Sequence, residues 1–241
     1  MAINKGAKLL DERVLAVQKK EKSWQIKTNK RLMKARIIVG ADGINSIVRQ
    51  KTIGHISREN IGLTYGYLAT GTENEPTTVK FTAEIPGYIW IFPRKTHTSI
   101  GIGSESKHGR ELKRILDSFI RSYCPQAKII SKFAAMLPRA TNPDFFTLPC
   151  AGDNWILIGD AAGHADPLSG EGILYALWSA KLAAEALSTK KPLRYDKLWK
   201  QQYGNFLVER CKQKGTFYNP LVIELSIAAY SLQSGNFKYF G

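Results

Sequence analysis

The chain has 241 residues, the length of one large domain or two small ones. Hydrophobic residues make up 44%, enough for a real core and far from a disordered composition. Lys and Arg total 35 against 20 Asp and Glu, for a net charge of +15, a balance that suits nucleic acid, anionic lipid or an anionic substrate. The basic residues are scattered through KK, KEK and RLMK, and none forms a basic arm. A Lys-rich solvated surface is therefore favoured, and nucleic acid is not expected as a partner. Cys124, Cys150 and Cys211 make an odd count without C-x-x-C spacing, which argues against a disulfide framework or a structural zinc. No metal is expected, and a reduced, cytoplasmic compartment fits. The opening residues hold no apolar signal core. No apolar run nears the roughly 20 residues that span a bilayer. The late stretch NPLVIELSIAAY (219–230) is too short for that, but it suits a core or interfacial helix and leaves peripheral membrane contact open.

In chain order, RVLAVQ (13–18) and SWQIKT (23–28) alternate apolar and polar residues across a KKEK turn. RIIVGAD (36–42) reads as a third strand, so this region is expected to be β-β-β. IGLTYGYLAT (61–70), TTVKFTAEI (77–85), GYIWIFP (87–93) and HTSIGIGS (97–104) follow at spacings of about ten residues, which predicts an antiparallel meander. GRELKRILDSFIRSY (109–123) has helical periodicity, with Leu112, Ile115, Leu116, Phe119 and Ile120 on one face. NWILIGDAAG (154–163) reads as a buried strand entering a turn. GILYALWSAKLAAEAL (172–187) predicts a long helix with Ile173, Ala176, Leu177, Ala180, Ala184 and Leu187 as its apolar stripe. The last fifty residues read as helices with aromatic packing.

The string WILIGDAAGHADPLSGEGILYALWSAKLAAEAL (155–187) carries the strongest chemical signal. A strand ends at Gly159, Asp160 sits in the turn, and small residues then allow backbone to approach a ligand closely. Pro167 and Ser169-Gly170-Glu171-Gly172 lead into the helix, whose first turn offers free N–H groups at a positive dipole end. Such a terminus can stabilise negative charge on a ligand. An ordinary strand–loop–helix crossover with Asp160 as a cap is the competing reading.

This string resembles the GD motif of the FAD-dependent p-hydroxybenzoate hydroxylase superfamily, and VGADGINSIVR resembles its DG motif. PLSGEGILYALWSAKLAAEAL and PGYIWIFPRKTHTSIGIG (86–103) are most similar to the geranylgeranyl reductase family. The aromatic hydroxylases differ in usually reading Gly-x-Gly-Asn and GDAAH at these places, and the halogenases share a comparable Trp-x-Trp-x-Ile-Pro strand. The resemblance implies an α/β fold with an α+β substrate region: a partial FAD-binding, glutathione-reductase-like fold plus an antiparallel sheet substrate domain. The implied division is 1–52 (FAD-binding, DG motif), 53–148 (substrate-binding sheet), 149–190 (FAD-binding again, GD motif) and 191–241 (C-terminal helices). Implied FAD contacts are Val14 at the adenine, Asp42 and Gly43 near the pyrophosphate, Asp160 at the ribityl or pyrophosphate, and Pro167, Gly170, Gly172 and Ile173 near the ring. Alternation puts Tyr88, Trp90 and Phe92 on one face, where they are expected to line an elongated apolar pocket.

The function implied is reduction of C=C bonds in a polyprenyl chain by FAD, with NAD(P)H or a reduced electron carrier as donor. Substrates implied are a prenyl diphosphate, a prenylated lipid or a prenyl quinone or pigment. Cys150, Tyr88 and His164 are candidate proton donors, and nothing in the spacing selects one. A monooxygenase or halogenase of the same superfamily is the enzymatic alternative. The family's glycine-rich βαβ unit has no counterpart here, since GIGSES (101–106) follows a meander strand. The expectation is an N-terminally truncated protein: part of a longer flavoprotein, a chain complemented by a separate N-terminal FAD-binding chain, or an inactive fragment.

Overall fold

The computed structural model describes residues 2–82, 84–219 and 221–222. β1 (Val14–Lys20), β2 (Ser23–Thr28) and β3 (Leu32–Ala35) are followed by β4 (Ile38–Gly40) and helix α1 (Ile47–Thr52). Then come β5 (Ile61–Thr70), β6 (Thr78–Phe81), β7 (Gly87–Pro93), β8 (Thr98–Glu105), α2 (Leu112–Tyr123) and β9 (Lys128–Pro138). β10 (Ala151–Gly152), β11 (Trp155–Leu157), α3 (Ile173–Ser188), α4 (Arg194–Trp199), a π-helical turn (Lys200–Gly204) and α5 (Asn205–Phe217) complete the described chain. The stretch expected as a core or interfacial helix, 219–230, lies outside the described residues beyond Val222.

The elements form two compact units. The first takes residues up to 55, 148–164 and 173–202; the second takes 56–147, 165–172 and the described residues from 203. The chain therefore passes from one unit to the other five times.

In the first unit, β1, β2 and β3 form one antiparallel sheet, and β10-β11-β4 form another. The expected β-β-β region is corrected here. The third strand of the first sheet is Leu32–Ala35, whose short alternation is masked by its lysine. The apolar run at Ile38–Gly40 instead pairs in parallel with β11, Leu157 opposite Gly40. Trp24, fully buried, ties β2 to the turn before β11 through its indole N–H, which donates to the Asn154 carbonyl at 2.9 Å.

In the second unit the sheet order is β6-β7-β8-β5-β9. The expected meander holds for β6-β7-β8 but not for β5, which lies between β8 and β9. β9 escaped the sequence reading because most of its residues are exposed on both faces, so no alternation marks it. β6 is also shorter than its sequence run. One face of this sheet packs Ile89, Ile91, Ile100 and Ile102 with Leu112, Ile115 and Leu116 of α2. Residues i, i+3 and i+4 share one helix face, so α2 buries the expected stripe.

The stripe expected on α3 is also corrected. Tyr175, Ser179, Leu182, Ala183 and Ala186 are the buried residues, whereas Ile173 is 80% and Leu177 67% exposed. This helix is apolar nearly all round, so periodicity could not choose its inward face. Among the described residues no helix is long and apolar enough to cross a membrane.

Candidate active site

In the first unit, two turns leave the carboxyl ends of neighbouring parallel strands. β4 ends at Gly40 and runs into Asp42-Gly43; β11 ends at Leu157 and runs into Gly159-Asp160. The Ile158 N–H donates to the Gly40 carbonyl at 3.0 Å, extending the ladder to the start of the second turn. Carboxyl ends of parallel strands are where α/β folds hold ligands.

Each turn has a local cause. The Asp42 carboxylate accepts from the Ile47 N–H at 2.8 Å, and the Ser46 hydroxyl accepts from the Arg49 N–H at 2.9 Å, so both cap α1. Gly159 has φ +55°, and a Cβ there would stand 3.1 Å from the Ala176 Cβ. A side chain at this position would be strained by both backbone and neighbour. The Gly159 N–H donates to the Ser179 hydroxyl at 3.0 Å, which fixes the turn on α3. Buried Arg49 links the two turns by donating to the Ala161 carbonyl at 3.2 Å.

Asp160 differs from Asp42. Among the described residues its carboxylate has no hydrogen-bond partner, and burial raises its pKa. A half-buried carboxylate of this kind is suited to accept from a ligand hydroxyl. Val14 is exposed at the start of β1, opposite Thr28, in the sheet separate from these two turns. Ile173 begins α3.

The second unit holds a cavity of about 300 Å³. Tyr88, Trp90 and Phe92 line it together with Met136, Leu137 and Arg139, so the expected aromatic face is brought to one space. Trp90 stacks with Phe92 and Phe133 at centroid distances of 6.1 and 6.4 Å. Gly101 makes room for this indole: a Cβ there would lie 2.2 Å from its ring.

The loop containing Pro167 and Gly170 reaches the same cavity through Leu168, Ser169 and Gly170. Three consecutive carbonyls of this loop are held by three separate side chains. Arg139 Nε donates to Pro167 at 3.3 Å, the Tyr218 hydroxyl to Leu168 at 2.6 Å, and the Tyr88 hydroxyl to Ser169. Asp166 closes the loop from within, accepting from the Leu168 and Ser169 N–H groups and pairing with Arg210 at 3.0 Å. Gly172 ends this segment of the second unit. Sequence reading missed Arg139, Asp166, Arg210 and Tyr218 in these roles. A short Asp166-to-Ser169 Asx turn was the one local signal available.

Of the candidate proton donors, only Tyr88 lines this cavity. Cys150 and His164 are buried in the first unit, with Sγ 3.6 Å from Nε2, and the His164 ring packs 4.4 Å from Trp199. Burial pushes the Cys150 thiol up to about 12. Burial, with the Arg49 charge, pushes His164 down to about 3. Both are neutral packing groups at ordinary pH.

Parallel strands ending in DG and GD turns, with an antiparallel sheet carrying an aromatic face, make this an α/β fold of the type found in FAD-dependent oxidoreductases. A geranylgeranyl bacteriochlorophyll reductase-like protein from Thermoplasma acidophilum superposes with a TM-score of 0.72 at 23% identity, covering 86% of this chain and 58% of that one. A tryptophan halogenase from Shewanella frigidimarina superposes with a TM-score of 0.56 at 16% identity, covering 81% and 40%. At these identities the likeness concerns the fold. Residues 60–137 match the model of the geranylgeranyl reductase catalytic domain, so this segment is similar to that domain. It is 29% identical over 224 residues to digeranylgeranylglycerophospholipid reductase 1 of Methanococcoides burtonii, covering 86% of this chain and 54% of that protein. It is 33% identical over 185 residues to menaquinone reductase of Mycobacterium tuberculosis, covering 70% and 45%. The chain thus spans about half the length of the curated relatives it matches.

Proposed function

We propose that this chain serves a flavin-dependent oxidoreductase that saturates C=C bonds in a polyprenyl chain. The observation that carries the reading is the aromatic-lined cavity, built by Tyr88, Trp90 and Phe92 from within the segment that matches the reductase catalytic domain. Two relatives are named as reductases of a digeranylgeranylglycerophospholipid and of menaquinone.

FAD fits the first unit on one physical ground. The Asp160 carboxylate, which has no hydrogen-bond partner among the described residues, stands just beyond the carboxyl end of β11, where a ribityl hydroxyl would satisfy it. In this reading Asp42-Gly43 lies toward the pyrophosphate and Val14 toward the adenine. The ring-facing roles of Pro167, Gly170, Gly172 and Ile173 rest on the family resemblance. When bound, the flavin would supply a hydride, and a proton would complete addition across the alkene. The chain's own contribution is to hold an apolar chain against the Trp90 face and to keep water from it. NAD(P)H or a reduced carrier is the proposed electron donor.

The test is mass spectrometry of a digeranylgeranyl lipid and of menaquinone after incubation with the protein, FAD and dithionite. Gain of two hydrogens per reduced bond is expected. Unchanged masses for both, with flavin bound, would remove this reading.

A further inference from the structure

Arg139 is 5% exposed and is the one charged residue among the described residues lining the cavity. Burying a charge is costly unless it is paired. Its guanidinium carries five N–H donors. Nε meets the Pro167 carbonyl and Nη1 the Pro86 carbonyl, each at 3.3 Å, while Nη2 has no hydrogen-bond partner among the described residues. The Tyr218 ring lies 5.0 Å from the guanidinium carbon, which adds cation–π attraction but no counter-charge.

The nearby carboxylates are committed elsewhere. Asp166 is engaged by Arg210 and by the Leu168 and Ser169 N–H groups. Glu105 pairs with Lys107 and Lys214. Lys214, itself buried, feels the Arg139 charge as repulsion. Among the described residues, this corner of the unit therefore holds a buried positive charge with no partner of opposite sign.

Resting on the reading of the cavity as a prenyl-chain site, we propose that Arg139 receives an anionic oxygen, phosphate or carboxylate, on the head of the bound amphiphile. The chain of that molecule lies along Tyr88, Trp90 and Phe92. Arg suits this role because its planar fork can hold two carbonyls and still offer a donor to an anion.

Calorimetric titration of the purified protein with farnesyl phosphate, farnesol and inorganic phosphate tests this. Farnesyl phosphate should bind about tenfold or more tightly than farnesol, and Arg139→Met should abolish that preference while farnesol still binds. Equal binding of the phosphate and the alcohol by the unaltered protein would overturn the inference and leave the prenyl reading intact. A preference that survives in Arg139→Met would do the same. Inorganic phosphate binding as tightly as farnesyl phosphate would overturn the amphiphile in favour of a free anion. Binding of neither prenyl compound would overturn the prenyl reading and this inference together. The first comparison needs no variant, so a misfolded Arg139→Met does not spoil the test.

Discussion

The Tyr88 hydroxyl donates to the carbonyl of Ser169, a residue 81 positions later in the chain. One aromatic of the cavity wall thus fixes the loop that carries Pro167 and Gly170. Tyr88→Phe keeps the ring and removes the donor. It should cost about 0.5–1.5 kcal/mol of stability, the usual value for one hydrogen bond, read from urea denaturation midpoints. An unchanged midpoint would show that the contact is not formed in solution.

Gly101→Ala should be more damaging. The new Cβ would meet the Trp90 ring at 2.2 Å, so the indole must leave its stack with Phe92 and Phe133. Overpacking of this sort costs about 1–3 kcal/mol. Thermal denaturation together with a change in tryptophan fluorescence would record it. A full-stability variant with native emission would contradict the packing described.

Trp90→Ala bears on substrate length. If the aromatic strip supports an extended chain, the KM for a long prenyl substrate should rise more than that for a short alkene. Equal changes in both would reduce Trp90 to a packing role. Because removing a buried Trp also costs about 3–5 kcal/mol, the assay temperature must lie below the variant's own transition.

Asp160→Ala should weaken flavin retention. Loss of a hydrogen bond to a charged acceptor corresponds to about 1.5–3 kcal/mol, or roughly ten- to hundredfold in Kd. Flavin fluorescence on dilution measures it. Unaltered affinity would mean the carboxylate meets no flavin hydroxyl.

Acid should probe Glu105. Burial alone would raise this carboxyl, but Lys107 and Lys214 outweigh burial and hold it down at about 2, below its ordinary 4.5. A folded pKa below the unfolded one stabilises the protein above the unfolded value. That contribution is lost as pH falls from 4.5 toward 2. Glu105→Gln should therefore flatten the fall in Tm across this window, and a parallel fall in both proteins would disprove the coupling.

Strands such as Ser23–Thr28, Ile61–Thr70 and Gly87–Pro93 were legible because alternation and flanking turns marked both ends. The same alternation brought Tyr88, Trp90 and Phe92 to one cavity. Lys128–Pro138 was not legible because its faces differ little in polarity, and Ile173–Ser188 hid its inward face behind apolar residues on every side. Arg139 was invisible for another reason. Its importance comes from the lack of a carboxylate partner among the described residues, and no local pattern encodes that.

The five passages of the chain between the two units bear on how the protein reaches this state. Neither unit is a continuous stretch, so no single cleavage or truncation yields either one whole. β4 must wait for β11, more than a hundred residues downstream, before its parallel partner exists. Closing loops of that length before any pairing is gained favours slow folding and cooperative loss. A lesion in either unit should therefore be felt during synthesis as delayed completion of the other, with the lowered cellular yield that exposed, unfinished strands bring.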